Sequence, residues 1–181
     1  CTFDFLKWKY PQLPVELCRD VSFVTTQELE DMYPDLTPKQ RENAYLREHR
    51  TAGILQIGGK LRSGKPHDGR APDYDDWALN GDIMFYNDVL DCAFELSSMG
   101  VRVSPESLRA QLAEAGCPER AELPFHRMLL AGELPFTMGG GIGQSRMCML
   151  LLAKEHIGEV QSSLWDAETR RVCRDAGIVL L

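Results

Sequence analysis

Residues 82–97, DIMFYNDVLDCAFELS, decide the fold class of this chain. Two runs with strand character, residues 82–86 and 91–97, lie on either side of the polar segment 87–90. Such runs on both sides of a short polar loop predict a β-hairpin with a four-residue loop. A hairpin at the centre of the chain favours an antiparallel sheet over a succession of βαβ units.

The two faces of this hairpin differ chemically. Since side chains alternate along a strand, one face is apolar and is expected to pack on the core, and it carries Ile83, Phe85, Phe94 and Leu96. The other face carries Asp82 directly opposite Glu95, with Ser97 beyond them. Facing carboxylates repel each other, and Mg²⁺ is commonly held by one or two carboxylates together with substrate phosphates. The pair is therefore a candidate Mg²⁺ site, with a solvent-exposed pair or a shifted register as open alternatives.

Capped helices and short strands surround the hairpin. On its N-terminal side we expect a strand at 21–25, helices at 26–33 and 37–50, and a strand at 53–57, followed by irregular chain at 60–80. On its C-terminal side we expect helices at 104–115 and 124–133, a glycine-rich strand entering a helix that runs to 154, and a helical tail from 162. This pattern predicts an α+β fold, an antiparallel sheet flanked by helices.

The sharpest motif is residues 139–146, GGGIGQSR. It matches neither a Walker loop nor a Rossmann fingerprint. Glycines in a strand let a ligand or another backbone approach closely, and Arg146 opens the next helix. Because a guanidinium is planar and stacks on rings, this combination suits a purine. Close packing of helix on strand, with Arg146 in a surface ion pair, explains the same spacing and remains open.

An acidic loop, RAPDYDDW at residues 70–77, places three acids beside an arginine. In an extended conformation Asp73 and Asp75 share a face and Asp76 points away. Such a loop can hold the ammonium of an amino acid, while Arg70 meets a carboxylate or phosphate with its fork of donors. A solvated polar loop is the alternative, and the sequence by itself favours it.

The composition excludes several classes of protein. The chain has 181 residues, a net charge of −7, 44% hydrophobic and 26% charged residues, which suits one globular domain. The net negative charge argues against non-specific binding to nucleic acid or to acidic membranes. No apolar run is long enough to span a bilayer. Six cysteines without a C-x-x-C pair or a secretion signal indicate reduced thiols and a cytoplasmic location.

Several segments together resemble a known family. Residues 139–149, GGGIGQSRMCM, are similar to the third signature motif of class II aminoacyl-tRNA synthetases. Four segments resemble the sequences of the ammonia-dependent aspartate–ammonia ligases, also called asparagine synthetase A. These segments are RAPDYDDW, LNGDI, FELSSMG and GGGIGQSR. The resemblance covers nearly the whole chain from about residue 13 and implies a class II synthetase-like catalytic core.

The resemblance also implies an activity and a set of site residues. ATP and L-aspartate would give β-aspartyl-AMP and pyrophosphate, and ammonia would then release asparagine and AMP. By resemblance Arg146, Glu95 and Arg70 would be catalytic. Asp82 and Glu95 would hold Mg²⁺ and phosphates. The ATP pocket would also include Gly140, Gly141, Gly143 and Arg146, and aspartate or its adenylate would contact Asp75, Arg70 and Ser98. Ser98 reaches that face only if a bulge lies near residues 97–98.

The chain departs from the family in two places. The N-terminal half of the family's domain, with the first and second motifs and the homodimer contact, is not recognisable here. The loop after Trp77 is also shorter. We therefore interpret residues 1–181, which begin with Cys1, as the C-terminal part of one catalytic domain. A relative of aspartyl- or asparaginyl-tRNA synthetase, or an inactive half that acts as a binding partner, are the alternatives.

Overall fold

The computed structural model describes residues 2–15 and 18–181. Its strands are β1 (Ser22–Thr25), β2 (Thr51–Leu55), β3 (Asp75–Asn87), β4 (Cys92–Arg102) and β5 (Met138–Ile142). Its helices are α1 (Thr2–Lys9), α2 (Thr26–Met32), α3 (Pro38–His49), α4 (Pro105–Glu114), α5 (Pro124–Leu130), α6 (Gln144–Leu151) and α7 (Ala167–Asp175). No helix in these two ranges is long and apolar enough to cross a membrane.

The expected helix starts are confirmed by their caps. Thr25 and Glu28 form a capping box at α2, and Thr37 forms one with Gln40 at α3. Ser104 accepts a hydrogen bond from the backbone N–H of Ser107 at the start of α4. Helix α1 was not expected. The tail is helical over a shorter span than expected, and β3 begins inside the stretch that was expected to be irregular.

The strands form one sheet in the order β1-β2-β3-β4-β5. Three of its neighbouring pairs are antiparallel, but β1 and β2 run parallel. The expected antiparallel sheet with flanking helices is confirmed by these three pairs, while the edge strand β1 runs parallel to β2 because α2 and α3 carry the chain back before β2 begins. Strand β2 also starts and ends two residues before the predicted strand, and Gln56, just after it, has a positive φ of 61°.

The hairpin forms with a register different from the expected one. Asn87 pairs with Cys92, so the loop starts one residue later than predicted. The Asn87 side-chain oxygen accepts hydrogen bonds from the backbone N–H groups of Val89 and Leu90, and Asp91 adopts a positive φ of 50°. This local turn shifts the whole ladder.

A β-bulge then shifts the register a second time. Glu95 pairs with Met84, whereas Ser97 pairs with Ile83, so Leu96 is the extra residue. The expected direct pairing of Asp82 with Glu95 is therefore wrong. Asp82 lies opposite Ser98 instead. The bulge needed to bring Ser98 to the acidic face is present next to the expected position, and it moves Ser97 to the apolar face.

Helices cover both faces of the sheet near the hairpin loop. Helices α2 and α3 pack on one face in a cluster formed by Val24, Leu29, Tyr45, Leu46, Ala52, Ile54, Ile57, Met84, Tyr86 and Ala93. Helices α1 and α6 pack on the other face around Phe85, Leu96 and Leu150, with Ile83 and Phe94 beside them, which confirms the predicted apolar face. A third cluster joins α4 to α5 through Val103, Leu108, Leu112 and Leu129.

Candidate active site

Asp82 lies at the centre of a polar site on the α3 side of β3 and β4. It is only 2% exposed, and Ser98 lies opposite it on β4. Arg70 reaches over from the preceding loop and forms an ion pair with Asp82. Burial raises the pKa of Asp82 above its ordinary value, the hydrogen bond from Ser98 and the charge of Arg70 oppose this shift, and the negative charge of Glu95 adds to it.

Glu95 and Arg146 form the second ion pair of this site. Arg146 Nη1 lies 3.3 Å from Glu95 Oε1 and also donates a hydrogen bond to the Glu95 carbonyl oxygen at 3.2 Å. The Gly143 N–H donates to the Leu96 carbonyl at 2.8 Å and so attaches the start of α6 to the bulge. The Arg146 side chain remains 47% exposed, so its guanidinium is accessible to a ligand.

The two acids share one face of the hairpin, and one residue pair, Ile83 with Ser97, lies between the pair of Glu95 with Met84 and the pair of Asp82 with Ser98. In the described residues there is no group of three or more His, Cys, Asp or Glu side chains that could hold a metal ion. Two carboxylates, however, match the number that Mg²⁺ takes from protein when phosphates complete its coordination. The donor set therefore fits Mg²⁺ bound together with a nucleotide.

The glycine-rich strand β5 borders the site. Gly141 pairs with Ser98 on the acidic face, and nothing lies within 4 Å of where its Cβ would be. Gly140 pairs with Met99, which puts the missing side chain on the opposite face. A Cβ at Gly143 would lie 3.3 Å from the Cβ of Arg146. Of the three glycines proposed for a nucleotide pocket, Gly141 thus opens onto the site and Gly143 lies beneath Arg146.

A third ion pair, between Asp75 and Arg102, lies farther along β4, four residues after Ser98. The Arg102 guanidinium carbon also lies 4.0 Å from the centre of the Tyr74 ring. The pair occupies space that two glycines leave free: a Cβ at Gly100 would lie 2.7 Å from Asp75 Cγ, and one at Gly139 would lie 2.6 Å from Arg102 Nη2. Sequence reasoning gave no role to Arg102, since its partner is distant in sequence.

Asp73 and Asp75 contact different elements. Asp73 accepts from His126 Nε2 at 3.0 Å and lies 3.4 Å from Arg120, whereas Asp75 contacts β4. The expected shared face of these two acids is therefore not formed. Of the residues singled out in the acidic loop, Arg70 contacts Asp82 and Asp75 contacts Arg102, whereas Asp73 contacts Arg120 and His126.

This sheet with flanking helices defines a class II aminoacyl-tRNA synthetase-like fold. The aspartyl-tRNA synthetase from Entamoeba histolytica superposes with a TM-score of 0.58 and 20% identity, covering 88% of this chain and 36% of that one. The asparaginyl-tRNA synthetase from the same organism superposes with a TM-score of 0.51 and 14% identity over 88% of this chain and 39% of its own. At these identities the likeness shows the fold alone.

The sequence narrows the class to one family. The model of the aspartate-ammonia ligase family matches residues 2–177, and the chain belongs to this family. The aspartate–ammonia ligases of Clostridium tetani and Clostridium perfringens strain SM101 are 60% and 58% identical to it over 180 residues, 99% of this chain. The chain spans 53% and 54% of those two proteins, about half their length. The resemblance read from the motifs is confirmed.

Proposed function

We propose that the protein containing this chain joins ammonia to L-aspartate at the expense of ATP, through β-aspartyl-AMP, and releases asparagine, AMP and pyrophosphate. The observation that carries the proposal is the clustering on one sheet face of two acids, Asp82 and Glu95, each paired with an arginine. The family membership supports the same activity.

The chemistry explains why both signs of charge are needed. A carboxylate is a poor electrophile, so it must first be joined to a good leaving group such as AMP. Both reactants, ATP and aspartate, are anionic, and bringing them together requires cations and fixed donors. Arg70 and Arg146 would supply these to carboxylate and phosphates, and Asp82 and Glu95 would hold Mg²⁺, which would neutralise further phosphate charge.

The ion pairs suggest an exchange of partners on substrate binding. In the structure each arginine neutralises one acid. If Asp82 and Glu95 held Mg²⁺, Arg70 and Arg146 would be available to the anionic substrates. If Asp82 and Glu95 had neither an arginine nor a metal ion as a partner, the repulsion between their charges would destabilise the site.

The edge at β5 suits the nucleotide. Arg146 is half exposed, and the position of Gly141 offers open space beside Ser98. We expect the Arg146 guanidinium to stack on adenine and the flat glycine strand to accept the nucleotide. Aspartate or its adenylate would then lie toward Ser98, Asp75 and Arg70.

The second half-reaction needs no covalent enzyme intermediate. The ammonia nitrogen would attack the activated carbonyl carbon, the bond from that carbon to the AMP oxygen would break, and the new amide would lose a proton to solvent.

We also propose, from the resemblance, that the complete protein is a cytoplasmic homodimer.

The activity is tested by incubating the natural full-length protein with Mg-ATP, aspartate and ammonium. We expect AMP and asparagine in equal amounts. Formation of asparagine only with glutamine as the nitrogen source would contradict the use of ammonia, and the absence of AMP under all conditions would refute the proposal.

The roles of the second ion pair are tested by Glu95→Ala and Arg146→Ala. Each is expected to abolish aspartate-dependent exchange of pyrophosphate into ATP while the circular dichroism spectrum stays that of the wild type. Glu168→Ala and Arg171→Ala are matched controls, because that pair is exposed on α7. Near-normal exchange in either site variant would contradict its assigned role.

A further inference from the structure

The start of β3 lacks a regular ladder. Asp75 pairs with Arg102 and Asn80 with Gly100, so five steps along β3 correspond to two steps along β4. The residues between Asp75 and Asn80 therefore cannot all bond to β4. Backbone groups in such a stretch need other partners, since unpaired buried N–H and C=O groups are costly.

Gln111 of α4 supplies these partners. Its side-chain oxygen accepts a hydrogen bond from the Trp77 N–H at 2.8 Å, and its Nε2 donates to the Pro72 carbonyl at 2.9 Å and the Asp75 carbonyl at 3.1 Å. Gln111 is 5% exposed. The opposite orientation of the amide would place its donors against an N–H and its oxygen against two carbonyls, so the three bonds fix one orientation.

Helix α4 is a firm support for this contact. Leu108 and Leu112, on the same helix face, are 0% and 1% exposed in the core that joins α4 to α5. The segment held by Gln111, residues 72–77, begins two residues after Arg70, which contacts Asp82, and contains Asp75, which contacts Arg102. A displacement of this segment would move both residues that we assign to aspartate.

We infer that Gln111 is a positioning residue that fixes Arg70 and Asp75 for aspartate without touching the substrate; this inference rests on the proposed function. Gln111→Glu keeps the shape of the side chain and the acceptor for the Trp77 N–H. It replaces the two donors by a carboxylate oxygen that faces the carbonyls of Pro72 and Asp75. The segment should therefore detach from α4 while the helix core stays intact.

The test compares Gln111→Glu with Leu108→Ala in the natural full-length protein. In Gln111→Glu we expect the KM for aspartate to rise on the order of tenfold to a hundredfold, with the KM for ATP close to that of the wild type. The Trp77 amide, followed by hydrogen exchange, should also lose protection. Leu108→Ala weakens the same helix, and it should lower thermal stability and leave both KM values unchanged.

The outcomes separate the two proposals. An active wild type with an unchanged KM for aspartate in Gln111→Glu would overturn the positioning role alone. Equal rises in the KM for aspartate in Gln111→Glu and Leu108→Ala would also overturn it, since a general loss of stability would then explain both. A wild type that forms no AMP from aspartate would overturn the proposed function and this inference with it.

Discussion

Removing the charge of Arg70 should unpair a buried carboxylate. Asp82 is 2% exposed, and Arg70 is its cationic partner in the site. In Arg70→Met the apolar stem of the side chain is kept and the guanidinium is lost. Breaking a buried ion pair in this way costs about 3–5 kcal/mol, because the remaining charge has no partner. The Arg70 side chain is 26% exposed, so solvent partly screens the pair and we expect about 3 kcal/mol, the lower end of that range.

A double variant isolates the cause of this loss. In Arg70→Met/Asp82→Asn the buried charge is absent, and most of the lost stability should return, since replacement of both partners is often close to neutral. The free energy of unfolding is measured by urea denaturation, followed by circular dichroism, at pH 7. Arg171→Met, at a pair whose arginine is 59% exposed, is the control and should lose less than about 1 kcal/mol.

The dependence on pH provides a second readout. Burial already raises the pKa of Asp82 above its ordinary value of 3.8, and loss of Arg70 should raise it further. A carboxyl whose pKa is higher in the folded state binds its proton more tightly there, so its contribution to stability is complete below pH 3.8 and is lost as the pH rises through the folded pKa. The defect of Arg70→Met should therefore be smallest in acid and grow toward neutral pH. A loss below about 1 kcal/mol at pH 7, or no recovery in the double variant, would refute the reasoning.

Two further predictions concern a glycine and a buried acid. Gly100→Ala should displace Asp75, whose Cγ lies 2.7 Å from the new Cβ, and calorimetry should then show weaker binding of aspartate; unchanged affinity would contradict the close approach. Burial raises the pKa of Glu42, but hydrogen bonds from His67 and Lys39 outweigh it, so the net pKa is lowered from 4.5. The Glu42 carboxylate therefore stabilises the fold above pH 4.5, and this contribution is lost as the pH falls through its lower folded pKa. In urea denaturation, Glu42→Gln should unfold more easily than the wild type at pH 7. Its free energy of unfolding should also depend less on pH in the acid range. Parallel acid profiles for wild type and variant would count against this.

Short-range patterns predicted a good part of this molecule. The sequence predicted the helix caps at Thr25 and Thr37. It also predicted the apolar face that includes Phe85 and Leu96. Each of these features depends on residues only a few positions apart. The glycine–arginine motif indicated the family for the same reason, and the family match confirms it.

The sequence predicted the register of the hairpin strands only in part. The hairpin loop was predicted one residue early, since the Asn87 side chain closes the turn and a pattern of alternation does not show which residue does so. That turn already moves Glu95 away from Asp82, and the bulge at Leu96 then places Ser98, and not Ser97, opposite Asp82. A shift of a single residue exchanges the two faces of a strand. The turn at Asn87 and the bulge at Leu96 therefore determined which polar side chains lie opposite each other.

By itself the sequence determined the types of most elements, the apolar hairpin face and the family, because these depend on residues that lie close together in sequence. Only the tertiary structure decided the pairing of Asp75 with Arg102 and the contact of Gln111 with the start of β3. Both contacts join residues about thirty positions apart, and they form because packing of α4 and the strand order brings those segments together. Local patterns carry no information about such distances, since loop closure permits many long-range pairings and packing selects one.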